Sequence, residues 1–225
     1  MDGWWVAREW EESPVSLVSW VVWVIGSIVL HELAHGWAAI RAGDRTPIDS
    51  GHMTWNPLVH MGQTSLIMFA LVGIAWGAMP VDPSRFRGRY DDAKVAFAGP
   101  AMNLVLFGVA ILAAAAAFIF EPRLGDPLGH NVFVFFITGA YLNLALMFLN
   151  LLPVPPLDGS RILGSFVPRF NRLWMGEQAP IIGLVAFIAV FFFGGRYVFG
   201  AAQYVTLQTF ATLLKAFGQI GTPDV

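Results

Sequence analysis

The feature that most limits the fold of this chain is a series of long apolar stretches with almost no charge. Segments 95–120 and 131–152 contain no Lys, Arg, Asp or Glu, and segment 16–40 contains a single acid. Each is long enough for a helix that crosses a hydrocarbon core of about 30 Å. Two shorter apolar segments, 179–193 and 197–214, follow them, and we expect Gly194, Gly195 and Arg196 to divide the two. The pattern predicts an all-α polytopic membrane protein with about five spanning helices.

Composition supports a bilayer environment and excludes several kinds of site. Hydrophobic residues make up 56% of the chain and charged residues 12%, whereas a soluble domain usually carries about 25% charged residues. The net charge of −2 gives no basic surface, so we expect no nucleic-acid partner. The chain has no cysteine, so any metal would have to be bound by His and carboxylate side chains.

The first apolar segment contains the motif His31-Glu32-Leu33-Ala34-His35. Two His at positions i and i+4 lie on one helix face, where both imidazoles can bind one zinc ion. The adjacent Glu32 can then hold the metal-bound water and act as a base. An acid and two imidazoles are costly within a membrane. We therefore favour a zinc site over the alternative, a buried polar patch that joins helices.

A catalytic zinc ion usually has three protein ligands and one open position. Asp158, which follows the apolar segment 131–152, is one candidate for the third ligand, although it could also serve as the N-cap of a following helix. His52 and His60 are alternatives in a polar loop rich in Gly and Pro, where His is commonly solvated or caps a helix. These residues alone leave the choice open.

Three motifs in order, HELAH, AGPAMN and NLLPVPPLDG, resemble those of the site-2 protease family of intramembrane metalloproteases. The resemblance covers roughly residues 20–165 and is nearest to the compact branch without PDZ or CBS domains. It implies one Zn²⁺ ion held by His31, His35 and Asp158, with Glu32 as the catalytic base. It also implies that Asn150 lies near the substrate or the transition-state oxygen.

The same resemblance gives Asn103 a supporting polar role near the substrate, although a hydrogen bond between helices would explain this residue equally well. The implied function is intramembrane zinc-dependent endopeptidase activity on or near transmembrane segments of membrane proteins. Substrate and lipid bilayer are then the expected partners. A divalent-metal transporter and a non-catalytic membrane scaffold are the alternatives. We expect residues 1–225 to form a single membrane-embedded protease domain, with a catalytic core at 16–165 and accessory helices at 179–217.

The proposed ligands also constrain the topology. For Asp158 to reach the two His, segments 16–40 and 131–152 must cross the membrane in the same direction, so an odd number of crossings must lie between them. Two apolar segments, 61–81 and 95–120, lie there, so one of them must fail to cross. Segment 61–81 contains Gly73, Gly77 and Pro80, and we predict that it forms a re-entrant or interfacial hairpin. The 41–60 loop leaves room for a small β element.

The distribution of basic residues predicts the orientation. With segment 61–81 not crossing, ten of the thirteen basic residues fall on one side: Arg41, Arg45, Arg85, Arg87, Arg89, Lys94, Arg161, Arg169, Arg172 and Lys215. The other side has only Arg8, Arg123 and Arg196. The positive-inside rule makes the basic side cytosolic. We expect an integral protein of a prokaryotic inner membrane, with its N-terminus outside and its site near the cytosolic surface.

Overall fold

The fold is a helical bundle. The computed structural model describes residues 5–173 and 179–218, in which every regular element is helical. The helices are α1 (Trp5–Glu12), α2 (Pro14–Ala42), α3 (Thr46–Asp49), α4 (Pro57–Val72), α5 (Asp91–Leu124), α6 (Leu128–Asn150), α7 (Asp158–Phe166), α8 (Pro168–Leu173), α9 (Ala179–Ala189) and α10 (Gly195–Ala216). This confirms the predicted all-α polytopic class.

Four helical runs in the described part of the chain are long and apolar enough to cross a membrane. They are α2, α5, α6 and the continuous run Ile181–Ala216. The first three match the predicted segments to within about four residues at each end, although α6 stops two residues short of the predicted end at residue 152. Ser13 begins α2 by accepting a hydrogen bond from the backbone N–H of Ser16, and Gly43 ends it with a φ of 108°.

Within residues 5–173 and 179–218, four candidate spans are found rather than the five or so predicted. We expected a break at Gly194-Gly195-Arg196, but the chain remains helical there, with one wide π-helical turn at Val190–Gly194. Gly195 has helical dihedral angles, φ −51° and ψ −45°. Glycine permits a break without imposing one, so segments 179–193 and 197–214 form one helical run rather than two.

The small β element expected in the 41–60 loop is also absent, since residues 41–60 contain no strand. The backbone N–H groups of Ile48 and Asp49 both donate to the carbonyl of Arg45, which forms the short helix α3. Local hydrogen bonds of this kind satisfy donors that a strand would otherwise need to pair.

The segment between α2 and α5 leaves and returns on the same side of the bundle, as predicted for a re-entrant hairpin. At its base, the N–H of Arg87 donates to the carbonyl of Ala42 over 3.1 Å. The chain that follows helix α4 has no regular structure and returns beside this helix. The Ser65 hydroxyl accepts from the N–H of Trp76 and donates to its carbonyl, and the N–H of Ala78 donates to the carbonyl of His60.

Helices α2, α5 and α6 form the core, and their close approach depends on small side chains. Six alanines of these three helices are fully buried, with 0% exposure: Ala39, Ala96, Ala110, Ala114, Ala115 and Ala140. Small residues let helix backbones approach closely where water provides no hydrophobic driving force. The Trp23 indole on α2 donates to the carbonyl of Phe135 on α6 over 2.8 Å. This core fixes α2 relative to both of its neighbours.

Candidate metal centre

Three side chains from two helices converge at one point of the bundle. The Nε2 atoms of His31 and His35, one turn apart on α2, are 3.0 Å apart. The carboxylate of Asp158 lies 3.2 Å from His31 Nε2 and 3.3 Å from His35 Nε2. All three residues are more than nine-tenths buried. The structure therefore brings together the three residues that the sequence suggested as ligands.

Helix α7 positions Asp158. Asp158 is the first residue of this helix, and Leu157 occupies the N-cap position, so the alternative N-cap role for Asp158 is not observed. A carboxylate in a first helical turn is also stabilised by the helix dipole. One turn later, Arg161 donates to Asp92 on α5 over 2.6 Å. This ion pair attaches α7 to the same helix that packs against the two His.

The outer ring nitrogens of both His are hydrogen-bonded to α5. His35 Nδ1 lies 2.7 Å from the carbonyl oxygen of Val95, and His31 Nδ1 lies 2.6 Å from Oδ1 of Asn103. Both partners are oxygen acceptors, so each Nδ1 carries the proton of a neutral ring. Each Nε2 therefore presents a lone pair toward the other ring and toward Asp158.

This donor set fits a metal ion. Two lone pairs and a carboxylate face one another with no donor between them, and the buried Oδ2 of Asp158 has no hydrogen-bond partner in the described part of the chain. A cation removes the resulting repulsion. Two ligands at about 2.0–2.1 Å from a tetrahedral zinc ion are about 3.3 Å apart, close to the 3.0–3.3 Å observed. Two imidazoles and one carboxylate are also a common catalytic zinc set.

Helix α5 can approach the imidazoles only because residue 99 is glycine. A Cβ at Gly99 would lie 2.5 Å from Cε1 of His31 and from Nε2 of His35, and nearer still to Nε2 of His31. Ordinary contacts are about 3.5 Å or longer. The glycine of the AGPAMN motif therefore serves the site through its missing side chain, a role that the sequence analysis did not identify.

Glu32 lies beside this cluster at a cavity. The cavity has a volume of about 490 Å³ and is lined by His31, Glu32, Trp76, Gly77 and Asn150, among others. Glu32 is 7% exposed, and no hydrogen bond within the described residues holds its carboxylate. The Asn150 amide donates to the carbonyl of Leu146 over 3.0 Å. Glu32 and Asn150 thus share one cavity, whereas Asn103 lies behind His31.

Comparison with known proteins identifies the family. Residues 118–194 match the model of peptidase family M50. Over 183 residues the chain is 36% identical to a Bacillus subtilis protein named "Putative zinc metalloprotease YwhC", a match that covers 79% of this chain and 82% of that protein. The chain belongs to peptidase family M50, the site-2 proteases. It is a zinc metalloprotease and an integral membrane protein.

Two further relatives support this assignment to family M50. The protein Rip2 of Mycolicibacterium smegmatis is 35% identical over 191 residues, which cover 78% of this chain and 68% of Rip2. The archaeal protein MJ0611 of Methanocaldococcus jannaschii is 28% identical over 166 residues, 73% of this chain and 77% of that protein. No solved structure gives a significant match.

The two alternative ligands lie apart from the centre of this M50 protease. His31, His35 and Asp158 are the one group of potential ligands within the described residues. His60 Nε2 donates to the carbonyl of Thr54 over 2.7 Å, and His52 contacts Ser50. His60 thus helps to close the loop at the base of the re-entrant hairpin.

The sequence analysis also missed Asn143, which is fully buried on α6 and hydrogen-bonds to Asn103 over 3.0 Å. Its signal was present, since an amide near the middle of an uncharged span is costly in lipid unless it has a partner. No motif marked it, and its partner lies on another helix.

Proposed function

We propose that this M50 protease is an intramembrane endopeptidase that cleaves peptide bonds in or near transmembrane segments of protein substrates. In this proposal one zinc ion is held by His31, His35 and Asp158, and Glu32 is the catalytic base. The observation that carries it is the convergence of three buried acceptor groups beside a cavity that Glu32 also lines.

The depth of the site supports cleavage within the bilayer. At 1.5 Å per residue, α2 is about 43 Å long, and His31 lies about 26 Å from its first residue. The site is therefore well inside the helix ends. A substrate helix has its carbonyls bonded within itself, so it must unwind locally before a peptide bond can enter the cavity.

The chemistry assigned to the chain uses two further side chains. A zinc ion in such a site lowers the pKa of bound water and polarises the scissile carbonyl. The Glu32 carboxylate has no hydrogen-bond partner among the described residues, so it can take a proton from water and deliver it to the leaving amine. Asn150 lines the same cavity and retains a second amide hydrogen, which can donate to the developing oxyanion.

The charge distribution supports an orientation with the N-terminus outside and the site near the cytosolic surface of a prokaryotic inner membrane. If Ile181–Ala216 crosses only once, Lys215 moves to the outer side, and nine of the ten basic residues assigned to the cytosol remain there. We further propose that residues 1–225 act as one protease domain, because α7 and the two His depend on the same helix, α5.

The test compares the native chain with Glu32→Gln, purified in detergent and reconstituted in liposomes with a transmembrane substrate. Glu32→Gln should retain one equivalent of zinc and lose cleavage, because it keeps the shape of the side chain but cannot accept the proton. Glu121→Gln, at the far end of α5, is the control that should cleave normally. Cleavage by Glu32→Gln would refute the base assignment, and full zinc content in Asp158→Ala would refute the ligand set.

A further inference from the structure

Behind the metal centre, a line of hydrogen bonds connects His31 to the backbone of a third helix. His31 Nδ1 contacts Oδ1 of Asn103, 2.6 Å away, and Nδ2 of Asn103 donates to Oδ1 of Asn143, 3.0 Å away. Nδ2 of Asn143 then donates to the carbonyl of Gly139 over 2.9 Å. Both amides have 0% exposure, so water cannot replace any of these partners.

The last atom of this line determines the direction of every bond in it. The Gly139 carbonyl can only accept, so Asn143 must present its NH₂ group there and its oxygen to Asn103. Asn103 must then present its NH₂ to Asn143 and its oxygen to His31. An amide oxygen cannot donate, so the proton of His31 has to be on Nδ1, which leaves the Nε2 lone pair for the metal.

We propose that Asn103 and Asn143 are positioning residues that fix the tautomer and orientation of His31. The Gly139 carbonyl sets the direction of this line of hydrogen bonds, which we call the relay. The inference rests on the proposed role of His31 as a metal ligand. In the metal-free protein the same relay keeps the Nε2 lone pair of His31 available for a metal ion. The other tautomer would place a proton on Nε2, facing Asp158, and that proton would have to leave before the metal could bind.

A relay and a purely structural contact make different predictions. If the two amides only join α5 to α6, their loss should lower stability without a specific effect on His31. If they act on His31, removal of Asn143 frees the Asn103 amide to rotate and offer its NH₂ group to Nδ1. That rotated state stabilises the wrong tautomer, and metal binding must then overcome it.

The experiment measures zinc affinity of the full chain in detergent by chelator competition, and the His31 tautomer by ¹⁵N NMR of the metal-free, His-labelled protein. Asn143→Leu should weaken zinc binding by on the order of tenfold, the lower end for a group that supports a ligand. Its NMR spectrum should change from one His31 tautomer to a mixture. Leu144→Ala, a neighbouring core change, is the control for loss of packing and should leave both readouts unchanged.

A rescue variant separates the relay from packing. The ionised carboxylate in Asn103→Asp can only accept, so it holds the Nδ1 proton of His31 without help from residue 143. The double variant Asn103→Asp/Asn143→Leu should therefore bind zinc within about twofold of the native chain, even if Asn143→Leu alone folds poorly. Weaker binding by the double variant than by Asn143→Leu would refute the relay.

One more variant separates this inference from the proposed site. His31→Ala should lose zinc binding. If it does, and Asn143→Leu still binds zinc like the native chain with a single tautomer, the relay is wrong and the site stands. If His31→Ala binds zinc with native affinity, the ligand assignment itself fails, and the relay fails with it.

Discussion

Substitution of Gly99 by alanine tests how closely α5 must approach the candidate metal centre. The new Cβ would lie 2.5 Å from His35 Nε2, about 1 Å inside an ordinary contact. Either the imidazoles turn away or α5 retreats by about 1 Å. Retreat would stretch the 2.6 Å and 2.7 Å bonds from the two His to α5 beyond about 3.5 Å, where a hydrogen bond is lost.

Both responses damage the same site, so Gly99→Ala should weaken zinc binding by about 10- to 100-fold for each supporting bond lost. Overpacking should also cost about 1–3 kcal/mol in the free energy of unfolding of the metal-free protein. Chelator competition and thermal unfolding in detergent measure the two effects.

The matched control for this substitution is Gly108→Ala on the same helix. A Cβ at Gly108 meets nothing within 4 Å, so this variant should bind zinc normally and be at least as stable as the native chain, since alanine favours helix. Native zinc affinity in Gly99→Ala would refute the reasoning, because it would mean that α5 can move without disturbing either imidazole.

Two other contacts give further predictions. Burial raises the pKa of Asp44, but hydrogen bonds from the N–H of Asp82 and from Thr46 outweigh burial and hold that pKa below its ordinary value. The stability that this shift contributes is present above the unfolded-state pKa of about 4 and is lost as pH falls through the folded-state pKa. Asp44→Asn should therefore be less stable than the native chain by a constant amount from pH 5 to 8. The difference in the free energy of unfolding should narrow only in strong acid, and denaturant titrations would measure it. Arg161→Gln should lower zinc affinity less than about tenfold, since its pair with Asp92 is about one-third exposed, and an unchanged affinity would show that α7 holds its position without this pair.

Sequence periodicity predicted the parts of the site that lie on one helix. The i, i+4 spacing places His31 and His35 on one face, and the two Nε2 atoms are indeed neighbours. Asp158 could not be chosen over His52 or His60 by spacing, because it belongs to a different helix. The motif resemblance favoured it, and the structure brings Asp158 alone of the three to the two imidazoles.

The topology could be predicted where the proposed ligands required two helices to cross in the same direction. It was harder to predict where it depended on the conformation of single glycines. The re-entrant course of segment 61–81 followed from the need for α2 and α6 to run in the same direction. The expected break after α9 rested only on Gly194 and Gly195, and glycine is compatible with helix as well as with a turn. Asn143 stayed unrecognised because its importance depends on a contact between α5 and α6 that no local pattern encodes.

The hydrogen bonds that orient the two imidazoles both end at main-chain carbonyl groups, those of Val95 and Gly139. A peptide oxygen is present whatever the side chain, so mutation cannot delete these two end points. Side-chain substitution therefore cannot remove the acceptor that orients His35. The orientation of His31 depends on two side-chain amides, and a single nucleotide change can replace either of them. Of the two proposed His ligands, His31 is the one whose geometry natural variation can alter.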